Sequence, residues 1–294
     1  MMNDVVLITG VSGHVGRRVA ELLAETGQTL RLLVRSDAAR APKLSNSEVV
    51  IGDYADSASL DRAFADVTKA LVVSVYAEPG KRALLHKNAF DAAARANVGH
   101  VVYTSFQGAA PDSKFPYSRD HHLSESYLRA AGVSHTLLRD CLYMDVAPGF
   151  FDEHGVLHGP AGNGAVAWVA REDVARAIVS VLTNPGESGA AYDLTGPEAL
   201  TLHETARRLS ALGGRELQYD DESIEQARRW RAQLGAPAWE LDVWIGTYLA
   251  MKAGELAKTS DAVQRLTGRQ PYRLEGYFNE RPRLLDNLRK PAKR

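Results

Sequence analysis

Six short apolar runs recur along the first half of the chain with helix-length stretches between them. That alternation constrains the fold more than any other feature. The runs are DVVLIT (4–9), TLRLLVR (29–35), SEVVIGD (47–53), KALVVSVY (69–76), HVVYTSF (100–106) and HTLLRD (135–140). Apolar residues at helical spacing fill the intervals near 15–26, 57–66, 82–96 and 120–131. Strands joined by helices predict a parallel sheet covered on both faces, and right-handed crossovers make it doubly wound. Ligands in such sheets bind beyond the carboxyl ends of the strands, so the residues ending each run are the ones to read for chemistry.

The rhythm changes after residue 145. PGFFDEHGVLHGPAGNG (148–164) reads as a hairpin or loop, and VAWVAREDVARAIVSVL (166–182) as a strand and helix that rejoin the main domain. AAYDLTG (190–196) and RELQYDD (215–221) read as short strands around a helix at 201–212, and the chain is mostly helical from about 223. The expected organisation is therefore a cofactor domain at 1–145, rejoined by 166–184. A smaller lobe of 146–165 and 185–294 would close over the ligand edge. Within it WELDVWIGTYLAMKAGEL (239–256) reads as core packing, with a lid or a homodimer contact as the alternative. The basic end RPRLLDNLRKPAKR (281–294) reads as a docked helix with a solvated tip.

The first interval carries glycines at Gly10, Gly13 and Gly16, between a buried strand and a helix whose Val15, Val19, Leu22 and Leu23 share one face. This is the dinucleotide turn of a Rossmann fold. The first glycine permits the tight turn, the second lets backbone approach a pyrophosphate, and the third lets helix and strand pack closely. Ser12, His14 and Val15 complete the phosphate-facing stretch, with the helix N-terminus presenting free N–H groups. About 20 residues on, where many relatives carry an acid for the ribose hydroxyls, this chain has Arg35 and then Ser36. A guanidinium binds a 2′-phosphate that a carboxylate would repel, which favours NADPH. Arg40 and Lys43 would assist, whereas Asp37 would favour the unphosphorylated ribose if it took that place instead.

Together, TGVSGHVG (9–16), GDYAD (52–56), VVYTS (101–105), HTLLRD (135–140) and SDAVQRLTGRQPYRL (260–274) make the chain resemble the NmrA-like atypical short-chain dehydrogenase/reductases. Within that group it is similar to bacterial type 2 NAD(P)H:quinone oxidoreductases and triphenylmethane-dye reductases. The resemblance implies that Asp53 and Tyr54 lie by the adenine, and that Ser74, Val75 and Tyr76 line the ribose and nicotinamide. It implies that Thr104, Ser105 and Phe106 sit by the nicotinamide. Ser105, Tyr117 and His121 take the places of the serine, tyrosine and lysine of ordinary members. Histidine for lysine weakens activation of the tyrosine, because an unperturbed imidazole is mostly neutral at pH 7. His121 and Glu125 also match a histidine-x-x-x-glutamate pattern of the relatives, which would place His121 on the cofactor. Tyr143, Met144, Phe106 and Phe150 are candidates for a substrate wall.

The expectation is an NADPH-dependent reductase passing hydride directly to a quinone or similar planar aromatic acceptor, with no flavin and no metal required. The reduced oxygen of a quinone is phenolate-like and tolerates a weak acid. The alternatives are a dinucleotide-binding sensor with little turnover, and a reductase of an imine, azo or enone compound. A formal net charge of −1 gives no global attraction to nucleic acid or anionic membrane. No apolar run approaches the roughly 18 residues of a membrane span, and no signal segment opens the chain. The single cysteine, Cys141, reads as structural, and a cytoplasmic location follows as the default. His154 and His158 are separated by a glycine-broken stretch and lack a third ligand, so no metal site is expected.

Overall fold

The computed structural model describes residues 4–289. Strand β1 (Val5–Ile8) leads through the glycine turn into α1 (His14–Ala24), and β2 (Thr29–Val34) and β3 (Ser47–Ile51) follow. Next come α2 (Ser57–Phe64), β4 (Lys69–Val72), α3 (Lys81–Arg95), β5 (His100–Phe106), α4 (Pro116–Ala130) and β6 (His135–Asp140). The later elements are β7 (Val156–His158), β8 (Ala165–Val166), α5 (Arg171–Thr183), β9 (Ala190–Leu194), β10 (Leu200–Thr201), α6 (Leu202–Gly213) and β11 (Gln218–Asp220). Helices α7 (Ile224–Ala232), α8 (Ala238–Lys252), α9 (Ala262–Thr267), α10 (Leu274–Glu280) and α11 (Asp286–Arg289) complete the described chain.

The main sheet runs β3-β2-β1-β4-β5-β6-β9, and its pairs are all parallel. Strand alternation sorts its side chains onto two faces. Val6, Ile8, Leu32, Val102 and Leu138 pack with α1 and α5, while Leu7, Leu33, Val101, Tyr103 and Leu137 pack with α2, α3 and α4. Each fully buried Val, Leu or Ile contributes about 1.5–3 kcal/mol relative to exposure. The strand order reverses between β1 and β4, and the crevice at that switch point lies beside Gly10 and Val73.

Two expectations about the second half are corrected. Residues 190–194, assigned to the lobe, are the seventh strand of the main sheet, because Ala190–Leu194 pairs along β6. Residues 165–166 do not rejoin that sheet. They pair antiparallel with β10, and the chain meets the β6 side further on, where Val169 bridges to Tyr143. Of the two alternatives for 148–164, a hairpin or a loop, the loop is the one found, with the short strand β7 inside it pairing in parallel with the distant β11. The helix at 171–183 does rejoin the main domain and packs on α1. Of the basic end, residues 282–289 form a short 3-10 turn and α11, and 290–294 lie outside the described residues. No described helix is long and apolar enough to cross a membrane.

Candidate functional site

The glycine turn is shaped by contacts no other residue could make. Gly10 has φ +66°, and a Cβ there would lie 2.9 Å from Cβ of Val73. A Cβ on Gly16 would stand 2.5 Å from the Gly10 carbonyl oxygen and 2.7 Å from that of Thr9, so α1 is pressed onto the end of β1. Gly13 is the N-cap of α1 and brings no side-chain cap, and the first turn holds no acidic residue. The opening N–H groups of α1 are left facing outward between exposed Ser12 and His14, while Val15 and Gly16 are buried. The result is an anion cradle of backbone donors and positive helix dipole.

At the end of β2, Arg35 is exposed, and among the described residues neither it nor the side chains of Arg40 and Lys43 find an ion-pair partner. Asp37 is engaged elsewhere, because its carboxylate accepts the Ala39 N–H at 2.9 Å and caps the turn at 38–40. At the end of β3, half-buried Asp53 accepts the Ala55 N–H at 2.9 Å. Tyr54 departs from its expected place. It is buried, and its hydroxyl donates to Thr9 Oγ1 at 2.7 Å, beneath the crevice. Burial raises its phenol well above the usual range.

After β4, the Ser74 N–H donates to Thr104 Oγ1 at 2.9 Å, so Thr104 ties two strand ends together. The Ser74 hydroxyl has no hydrogen-bond partner among the described residues, and Val75 is bound through its backbone to His86 and Arg82. Tyr76 stands 64% exposed against Trp239 and Tyr117.

The expected catalytic trio is not assembled. Ser105 is fully buried and donates to Glu125 Oε1 at 2.7 Å, on the sheet face opposite Phe106, because successive strand residues alternate. Glu125 is in turn held by Arg139 at 2.6–2.7 Å and Arg129 at 3.0 Å. Burial alone would raise its carboxyl, but the bonds from Arg139 and Ser105 outweigh that and hold it below the usual range.

His121 is equally enclosed. Its Nε2 lies 2.8 Å from Nη2 of Arg82 and its Nδ1 3.0 Å from the Tyr103 hydroxyl. A guanidinium only donates, so Nε2 accepts and Nδ1 carries the proton. The Val75 N–H, another obligate donor, fixes His86 in the same tautomer at 3.0 Å. Burial first, and the Arg82 charge second, hold both imidazoles neutral far below their usual pKa. His121 thus has no free ring nitrogen for cofactor or substrate. Tyr117 remains half-buried at the cleft, its hydroxyl donating to the Ala77 carbonyl at 3.0 Å. Burial pushes its phenol up to about 12 although the Arg82 guanidinium, 4.5 Å from the ring centroid, pulls the other way.

Sequence reasoning missed Arg82, which supplies from α3 the positive charge that position 121 lacks. It is 4% exposed, and its Nη1 has no hydrogen-bond partner. The available signal was its i,i+4 spacing with His86, continuing to Phe90 on the buried face of α3.

Beyond β6 the substrate-wall candidates divide. Met144 is a core residue at 1% exposed, and Phe106 is buried against Phe115 and His121. Both are corrected to packing roles, since neither presents appreciable surface to a ligand. Tyr143 is half-buried, donates to Asp140 and lies under the Arg171 guanidinium at 5.0 Å. Phe150 lines a cavity of about 400 Å³ together with Asp152, Trp230, Arg231, Trp244 and Tyr248. Arg231 is neutralised inside that wall by Glu222 at 2.6 Å and stacks on Trp230 at 4.2 Å. Cys141 is buried, and burial raises its thiol to about 12, which fits a structural role. His158 pairs with Asp152 and Asp220, and no metal-ligating cluster occurs among the described residues.

Residues 10–185 match the NAD(P)H-binding family. The NAD(P)H azoreductase of Xenophilus azovorans is 33% identical over 279 residues, covering 90% of this chain and 93% of the relative. The crystal structure of the NADPH-dependent quinone oxidoreductase QOR2 of Escherichia coli, complexed with NADPH, superposes with a TM-score of 0.84 at 31% identity, covering 94% of this chain and 99% of that one. The NADP(H) complex of triphenylmethane reductase from Citrobacter sp. gives 0.82 at 29% identity, covering 94% and 99%.

Proposed function

The chain belongs to the NAD(P)H-binding family and is an NAD(P)H-dependent oxidoreductase, and from that premise we propose that it uses NADPH to reduce an uncharged, planar aromatic acceptor, a quinone in the first instance. The observation that carries this reading is the pairing of an unengaged Arg35 at the ribose end with an aromatic-walled, internally neutralised cavity in the lobe.

The pyrophosphate would sit on the Gly10–Gly16 cradle and the 2′-phosphate on Arg35, with Asp53 towards the adenine and Ser74 towards the ribose. When bound, the nicotinamide supplies a hydride. This chain's residues have the remaining tasks of orienting the acceptor, excluding water and stabilising the oxygen that gains charge. Ordinary alcohol chemistry needs a tyrosine activated by a neighbouring cation, with a serine beside it, and here burial keeps Ser105 and His121 out of reach. A hydroquinone oxygen is far less basic than an alkoxide, so this enclosed arrangement suits a quinone better than an alcohol. The azo group of the Xenophilus relative's named activity is the second acceptor class that a flat aromatic cavity would take.

Anaerobic oxidation of NADPH by the purified protein, with a small simple quinone as acceptor and NADH run in parallel, tests this reading. Rapid consumption of NADPH and slow consumption of NADH is the expected result. Tight NADPH binding without turnover on quinone or azo acceptors would reject the reductase reading and favour a dinucleotide sensor.

A further inference from the structure

The reduction proposed above consumes a proton as well as a hydride, and Ser105 and His121 cannot supply it. Besides the exposed Tyr76–Glu240 pair after β4, an enclosed pair of acidic groups at the end of β6 is in hydrogen-bond contact. Asp140 is the last residue of β6, 6% exposed, and the Tyr143 hydroxyl in the following turn is bonded to its Oδ2. The Tyr143 ring lies beneath the Arg171 guanidinium, which fixes its plane, and the Val169 bridge fixes its backbone. In register, Asp140 faces Phe106 on β5 and Leu194 on β9, so its neighbours in the sheet are apolar.

We propose that Tyr143 and Asp140 form the proton-supplying pair of the reductase, with Tyr143 donating to the acceptor oxygen and Asp140 returning a proton to Tyr143. The proposal rests on the quinone-reductase reading above. The acceptor gains hydride and its electron pair from the bound cofactor, leaving one oxygen as phenolate. That oxygen takes the Tyr143 proton, the O–H bond of Tyr143 breaking as the new one forms. The Asp140 carboxyl then reprotonates Tyr143, and solvent recharges Asp140 once product has left. The sum is acceptor, reduced cofactor and one proton giving the dihydro product and oxidised cofactor. Tyr143 is the group that would touch substrate, and Asp140 acts through it as a positioning residue and proton reservoir.

The electrostatics agree with this division of roles. Burial lifts the Asp140 carboxyl from its usual 3.8 to about 7, against the hydrogen bond from Tyr143 and the charges of Arg82 at the start of α3 and Arg171 at the start of α5. Cys141, its neighbour in the chain, has a thiol too weakly acidic to compete. Burial and Asp140 together keep the Tyr143 phenol protonated. A carboxyl that holds its proton to neutrality can deliver one, as an exposed aspartate at pH 7 cannot.

The test uses Asp140→Asn and Tyr143→Phe, with two readouts. In quinone reduction, kcat/KM of the wild type should fall above about pH 7. Asp140→Asn should lose that limb, and Tyr143→Phe should lower kcat about 10- to 100-fold with NADPH affinity unchanged. In the cofactor-free protein, the infrared band of a protonated carboxyl should titrate near pH 7 and be missing from Asp140→Asn. Turnover with an Asp140→Asn pH profile matching the wild type, or no titrating carboxyl band, overturns the proposal alone. No quinone turnover by the wild type overturns the function on which it rests, and the proposal with it.

Discussion

The two halves of the sheet's ligand edge treat their polar groups in opposite ways. Around β1 and β2, the first N–H groups of α1 are uncapped by any side chain and Arg35 has no ion-pair partner. Around α3 and α4, by contrast, Ser105, Glu125, His121, His86 and Tyr103 are buried and bonded to one another or to arginines. Buried polar groups are costly when unsatisfied, so a closed network stabilises the fold. Donors left without protein partners at a concave edge are where a ligand completes the bonding. Arg82 belongs to both regimes, with two of its nitrogens bonded and Nη1 without a partner.

The closed half depends most on Glu125. Replacing it by Ala leaves buried Ser105 and part-buried Arg139 without their partner and should cost about 3–5 kcal/mol. Urea unfolding measures that loss, and NADPH affinity of the folded fraction should be unchanged. At the open end, Gly16→Ala drives a Cβ into the backbone oxygens of Gly10 and Thr9, which cannot move aside without shifting α1. A cost of about 3 kcal/mol is expected, here accompanied by loss of NADPH binding in fluorescence titration. Loss of binding in Glu125→Ala, or its retention in Gly16→Ala, would erase the distinction between the two halves.

Asp140 sharpens the comparison through pH. Its native carboxyl keeps a proton up to about pH 7, while the unfolded chain releases it near 3.8. Native protein therefore binds more protons between those values, and stability falls as pH rises from about 4 to 7. Asp140→Asn keeps an acceptor for Tyr143 and removes the penalty, so at pH 8 it should gain on the order of 4 kcal/mol, and near pH 4 almost nothing. Thermal unfolding at the two pH values decides this. The smallest effect is expected at exposed Arg35. Arg35→Ala should reduce the preference for NADPH over NADH by about 10-fold, or ~1.4 kcal/mol, with stability unchanged.

Much of the cofactor half was legible in the sequence because backbone rules write it there. The spacing Gly10-Gly13-Gly16 after a β-branched run states a turn that no Cβ permits, and each early strand and helix lies within a few residues of its expected place. The catalytic half was misread because burial and distant partners set which side chains are available. Period-2 alternation puts Ser105 and Phe106 on opposite faces, but nothing local says which face meets the ligand. Met144 and Phe150 likewise look interchangeable as apolar residues near a strand end, yet one is core and the other lines the cavity.

By itself, then, the sequence determined the doubly wound sheet, the phosphate turn and the basic residue beyond β2, since each is written in local patterns of apolar period, glycine spacing and strand ends. The tertiary structure alone decided that β9 completes the sheet, that His121 and Ser105 are internal to the network, and that Arg82 and Asp140 reach the ligand edge. Those outcomes depend on which distant groups meet in a low-dielectric interior, where desolvation and partner geometry, rather than residue type, set protonation and availability.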